Sequence, residues 1–198
     1  LSSSQRRSVH TVGINDAKYM VSIAVDGKKL ICPAYKAWAG MLCRSYSVRY
    51  HEIQPTYQDV MVCDDWHRFV NFRDWWIENQ VDGYALDKDI IGDGMKYDKH
   101  SCIFVPSWLN NFITDRGASR GRYKIGVSLD KRSGKFRSMC RNPITGMNEY
   151  LGAFDDQELA HTAWRDRKLG ICLELKGEMD SIDDRIYNGV LRVIASMS

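Results

Sequence analysis

At 198 residues, 44% hydrophobic and 27% charged, the chain carries enough apolar content for one large core or two to three small ones, which excludes an intrinsically disordered protein. No stretch approaches the ~20 apolar residues of a membrane span, and no basic flank with an apolar run marks a secretion signal, so a soluble protein is expected. A net charge of +3 permits a nucleic-acid partner without demanding one, and leaves the decision to how the charge is distributed.

Leu1 stands where an initiator Met belongs, which predicts residues upstream, and residues 1–12 read as a flexible, weakly basic lead-in. Alternation on either side of Asp26-Gly27, from Tyr19 to Val25 and from Lys28 to Ile31, predicts a hairpin. Pro33 then opens a helix in which Tyr35, Trp38, Met41 and Leu42 recur at three- and four-residue spacing, a core-facing stripe running toward Tyr46. Val60–Cys63 reads as a short buried strand. Asp64 or Asp65 is placed to cap a core helix carrying Trp66, Phe69, Val70, Phe72, Trp75, Trp76 and Ile77, and His67 on that helix is taken as structural.

Residues 84–116 predict strand, loop, strand, helix: Tyr84 to Ile91, a loop through Gly92 and Gly94, Ser101 to Val105, and a helix from Pro106. The small basic connector 117–122 is the expected boundary between a domain over 13–116 and another over 123–176. Three strands follow (123–129, 135–141, 149–154), with a helix over 156–169. A last helix over 182–196 lines up Ile186, Val190, Val193 and Ile194 and must dock on another element or on a second copy as a homodimer. The predicted class is α+β. Six scattered cysteines (Cys32, Cys43, Cys63, Cys102, Cys140, Cys172) form no Cys-x-x-Cys pair and point to a reducing compartment; core packing is favoured for Cys63 and Cys102 over a structural zinc.

An acidic residue on the first strand and a polar residue on the helix of such a strand-loop-strand-helix unit can hold a divalent cation against a scissile phosphate. Asp87 and Asn110 occupy those places. Four segments carry a resemblance: Trp38 with Met41-Leu42-x-Arg44; Val62-Cys63-x-x-Trp66-x-x-Phe69-x-x-Phe72; Leu86-Asp87-Lys88-Asp89; and Tyr97-x-x-x-Ser101-Cys102-x-Phe104-Val105-Pro106. Together they resemble the HNH-type proteins of bacteriophages and their homing endonucleases, over residues 13–116. The resemblance implies a ββα-metal unit with Asp87 and Asn110 as ligands of Mg2+ or Mn2+ and a general base at position 88. Lys88 stands there in place of histidine, and Ser101 falls near the asparagine that braces the loop. A lysine is protonated at neutral pH and more naturally contacts phosphate than extracts a proton. His100 in the loop is a substitute base on one reading and a surface residue on the other.

Residues 123–176 resemble an Apetala2-type domain, found in plant ethylene-response factors and appended to phage HNH proteins. The matching residues are Gly126-Val127, Gly134-Lys135-Phe136, Tyr150-Leu151-Gly152-x-Phe154 and Glu158 to Ala160 with Ala163-Trp164 and Lys168. The resemblance implies a three-stranded antiparallel sheet whose helix-free face enters the major groove of double-stranded DNA. Lys131, Arg132, Lys135, Arg137 and Arg141 concentrate five cations in residues 131–141, and Asn148 and Tyr150 join them as candidate DNA contacts. Ile125, Ser128 and Met139 depart from the plant pattern, where arginine, arginine and glutamate contact DNA, so base preference does not carry over.

Two functions compete on these residues: a metal-dependent nicking or homing endonuclease, and a non-catalytic DNA-binding regulator in which Lys88 touches the phosphate backbone. Docking on host machinery through the aromatic N-terminal region or the last helix is a third. The resemblance places the protein with DNA in the host-cell cytoplasm.

Overall fold

A computed structural model describes residues 8–114 and 122–197. It is an α+β protein whose chain divides into two compact units, Leu1–Phe104 and Val105–Ser198.

In the first unit, Val9 and Gly13 exchange two backbone hydrogen bonds of 2.8 Å each, so the end of the expected lead-in is a closed turn; residues 1–7 lie outside the described residues. Strands β1 (Ser22–Val25) and β2 (Lys28–Ile31) form the expected antiparallel hairpin. Asp26 and Gly27 both take positive φ, 51° and 72°, the left-handed pair that a two-residue turn requires. Helix α1 (Pro33–Tyr46) begins with proline at N1 and buries Trp38, Met41 and Leu42 completely, as its periodicity predicts. A short helix α2 (Val48–Ile53) follows, capped by the Ser47 side chain.

After β3 (Met61–Val62) the expected single helix is two elements. Asp64–His67 is a 3-10 turn that contains Trp66 and His67, Arg68 is extended, and α3 runs over Phe69–Asn79. Neither Asp64 nor Asp65 caps α3. Asp16 does so from far upstream: its Oδ1 accepts from the backbone N–H of Val70 at 2.9 Å and its Oδ2 from Arg68 Nε at 3.0 Å. The packing of residues 13–16 against the turn makes this possible, through Ile14 N–H donating to the His67 carbonyl and Phe69 N–H to that of Ile14. Trp38, Met41, Leu42, Val62, Trp66, Phe69, Phe72 and Tyr97 form the core, and Trp38 Nε1 donates to the Trp66 carbonyl at 2.7 Å, satisfying the buried indole N–H.

Strands β4 (Tyr84–Asp87), β5 (Lys96–Tyr97) and β6 (Ile103–Pro106) follow; β5 pairs in parallel with β3, and β4 pairs with β6. Helix α4 (Ser107–Ile113) comes next in the chain. The expected order of strand, loop, strand, helix is therefore present.

The compact units divide at Phe104/Val105, before α4, rather than at the connector 117–122, of which only Arg122 is described. The physical reason is that α4 buries Leu109, Phe112 and Ile113 within the second unit, where the Phe112 ring lies under the Lys168 ammonium. Strands β7 (Val127–Leu129), β8 (Phe136–Arg141) and β9 (Asn148–Phe154) form an antiparallel sheet in that order, with α5 (Gln157–Glu174) packed on one face. Asp156 caps α5 through Glu158 N–H and Leu159 N–H, and the helix continues past the predicted end at 169 to bury Ile171 and Cys172. The predicted last helix, over 182–196, is α7 (Ile186–Ser196), and a further helix, α6 (Lys176–Ile182), precedes it. Ile186, Val190 and Ile194 are fully buried, and α4, α5 and α6 all pack on α7. Its apolar face is covered inside the unit.

Candidate nucleic-acid interface and the surroundings of Asp87

The sheet face opposite α5 follows from strand alternation. On β8, Ser138 and Cys140 are buried while Arg137, Met139 and Arg141 are exposed; on β9, Asn148 and Tyr150 are exposed. The register places Arg137 opposite Ala153, Met139 opposite Tyr150 and Arg141 opposite Asn148. Between the first two pairs the ladder slips by one residue, beside Gly152, whose φ of 131° accommodates the irregularity. This brings Tyr150 back onto the same face as the two arginines.

The five cations differ in their commitments. Arg137 Nη2 donates to Asp130 Oδ2 at 2.7 Å, and Lys135 Nζ lies 3.2 Å from Asp155 Oδ1. Asp130 also organises the β7–β8 turn, accepting from Arg132 N–H and the Ser133 hydroxyl; these donors and Arg137 hold its carboxyl below the usual range. Among the described residues no carboxylate pairs with Lys131, Arg132 or Arg141, and all three are exposed. At the other end of β9, Glu149 accepts from Arg167 and Asn142, which depress its carboxyl to about 2 and lock the strand to α5. Sequence reasoning missed this pair, because Glu149 and Arg167 meet only when β9 lies on α5.

Beneath the sheet Lys168 is buried, its Nζ 3.8 Å from the centroid of Phe112 and 5.7 Å from that of Trp164. Burial lowers its pKa to about 8. His161 is likewise internal, bonding the Ile125 carbonyl through Nδ1 at 2.9 Å and stacking on Trp164.

In the first unit Asp87 ends β4 and is buried. Its Oδ1 accepts from the backbone N–H groups of Asp89 and Ile90, each at 2.8 Å, which uses both lone pairs of that oxygen. Burial nevertheless pushes the carboxyl pKa up. This is the geometry of a turn cap. Among the described residues no three His, Cys, Asp or Glu side chains converge. Asn110 belongs to the second unit, half-buried on α4.

Lys88 is 5% exposed, its Nζ 2.7 Å from Asp89 Oδ1 and 5.0 Å and 5.7 Å from the ring centroids of Tyr57 and Tyr97. Its side chain is enclosed and paired with Asp89. His100 is exposed on a turn fastened by Asp98 Oδ1, which accepts from His100 N–H and Ser101 N–H at 2.7 and 2.9 Å. Ser101 Oγ donates to the Lys96 carbonyl at 2.6 Å and so braces the loop between the strands. Cys63 and Cys102 are free thiols, the latter pushed up to about 12 by burial. His67 Nε2 lies 3.1 Å from the Tyr46 hydroxyl, a structural contact.

No helix among the described residues is long and apolar enough to cross a membrane. Comparison with protein-family models, curated proteins and solved structures gives no match for this chain.

Proposed function

We propose that this chain is a non-catalytic, double-stranded DNA-binding protein whose second unit reads the major groove with the β8–β9 face and whose first unit is an HNH-derived scaffold of the phage type. The observation that carries the reading is the shared exposed face of Arg137, Met139, Arg141, Asn148 and Tyr150. A twisted sheet presenting cations, an amide and an aromatic ring on one side suits groove edges and phosphates together. Lys131 and Arg132, exposed at the β7–β8 turn with no carboxylate partner among the described residues, supply backbone contacts at its rim.

The absence of catalysis rests on the commitments of three residues. Asp87 caps a turn, Lys88 is paired with Asp89, and His100 faces solvent from a fastened turn. The competing reading, Mg2+- or Mn2+-dependent nicking through Asp87 and Asn110, requires a base, and the pairing of Lys88 with Asp89 leaves His100 on its exposed turn as the candidate. A homodimer through the last helix has lost its motive, since that apolar face is covered.

Fluorescence anisotropy with a mixed-sequence duplex across rising salt tests the reading. Binding that weakens steeply with salt and drops on Arg141→Ala is expected; no binding at low salt, or indifference to Arg141→Ala, overturns it. Incubating supercoiled DNA with the protein and Mg2+ or Mn2+ tests the catalytic part, with no nicking expected.

A further inference from the structure

Strand alternation puts one apolar row in the middle of the cationic face of the sheet. Met139 on β8 and Tyr150 on β9 are direct cross-strand partners, 40% and 61% exposed. Side chains directly opposite in an antiparallel pair have Cβ atoms about 5 Å apart, so the two make one apolar surface. Arg141 and Asn148 form the next row toward one end of the strands, and Arg137 and Ala153 the next toward the other. The backbone fixes the row in place: Met139 N–H donates to the Gly126 carbonyl at 2.9 Å, and the flanking Ser138 and Cys140 are fully buried on the opposite face.

Methionine, tyrosine and arginine are also residues that protein interfaces favour. The charge around this row argues for a polyanion instead: Arg141 has no carboxylate partner among the described residues, and Lys131, Arg132 and Lys135 lie exposed between β7 and β8. On such a partner, arginine and asparagine can pair with the hydrogen-bonding edges of purines. Met139 has no hydrogen to donate and a thioether that accepts only weakly, so it is blind to the donor and acceptor pattern of a groove. The apolar feature of the major groove is the C5-methyl group of thymine, which stands beside the O4 acceptor.

We infer that Met139 and Tyr150 give the sheet a preference for thymine, by packing on its C5-methyl group in the major groove. This rests on the DNA-binding reading and names what the face selects. An arginine on a phosphate strengthens binding to every sequence alike, whereas a buried methyl group is present on one base only. The flexible, polarizable thioether of Met139 can follow the contour of a methyl group, and the Tyr150 ring opposite it supplies a rigid apolar wall.

To test this, a pool of random-sequence duplexes is enriched on the full chain, and the enriched sequences are copied with either thymidine or deoxyuridine triphosphate. Uracil keeps the O4 acceptor and lacks only the methyl group, so pairing and phosphate charge are unchanged. The wild type should bind the uracil copies about fourfold more weakly for each methyl contact, and Met139→Ala should bring that ratio to about one. Tyr150→Phe, which keeps the ring, should retain the ratio, and Tyr150→Ala should lower it. Both positions are exposed, and circular dichroism checks that the variants keep the sheet. Equal binding of the two copies by the wild type, with affinity still dependent on Arg141, sinks thymine selection and leaves the DNA reading standing. A ratio that survives in both alanine variants assigns the methyl contact to other residues and overturns the inference as well. Failure of the chain to retain any duplex at low salt removes the DNA reading and the inference together.

Discussion

Lys168 Nζ sits 3.8 Å above the ring of Phe112, inside the second unit, with no carboxylate beside it among the described residues. Burial lowers its pKa from 10.5 to about 8, so folding favours the neutral amine. Below pH 8 the amine is protonated in both states and the cost of burying the charge is fully present. Between pH 8 and 10.5 the unfolded chain binds more protons, and stability from this group rises with pH. Lys168→Met should therefore raise stability at pH 7 by about 1–3 kcal/mol. The wild-type minus variant difference, from urea unfolding at pH 7 to 10.5, should shrink toward high pH; a constant difference would refute the assignment.

Gly126 is held against Trp164 so closely that a Cβ would lie 2.1 Å from the indole Cδ1, and its φ is +78°. Both the space and the backbone conformation exclude an L side chain. Gly126→Ala should cost about 3 kcal/mol, read as a lower urea midpoint with the loss of near-ultraviolet circular dichroism from Trp164.

Asp87 is assigned here as the cap of the turn after β4, through N–H groups of Asp89 and Ile90. Asp87→Ala should destabilise the chain by about 2 kcal/mol, and Asp87→Asn, which keeps an acceptor oxygen, should recover most of that. Neither change should depend on added Mg2+ or on chelator. A wild-type Tm that rises with Mg2+ and loses the rise in Asp87→Asn would restore the metal reading.

Arg137 and Arg141 share a sheet face, yet Arg137 is tied to Asp130 and Arg141 has no carboxylate partner among the described residues. Arg141→Ala should weaken duplex binding more than Arg137→Ala does. Asp130→Asn should enhance binding through Arg137 provided the turn survives, and circular dichroism checks that. Equal losses from the two arginines would show that the ion pair does not compete with DNA.

The elements that local chemistry dictates are those the sequence predicts best. Asp26-Gly27 needs only its own φ preferences to turn the hairpin, and Pro33 with the Trp38, Met41 and Leu42 stripe sets α1. Alternation along β8 and β9 places Arg137, Met139, Arg141 and Tyr150 on one face. The α3 cap came out differently because its acceptor, Asp16, is more than fifty positions away. Nothing near Arg68 signals that partner. The division before α4 was hidden for a similar reason: the basic connector reads as a boundary locally, whereas burial of Phe112 decides which core α4 joins.

In residues 84–116 the resemblance expects a base at position 88, and the sequence places there a lysine, whose protonated form has no lone pair to offer. What tertiary structure decided is where that ammonium goes. The rings of Tyr57 and Tyr97 lie 5.0 and 5.7 Å from it, and Asp89 becomes its ion-pair partner within the folded loop. Charge is a property of the residue, but the field it feels depends on distances that only the packed chain sets.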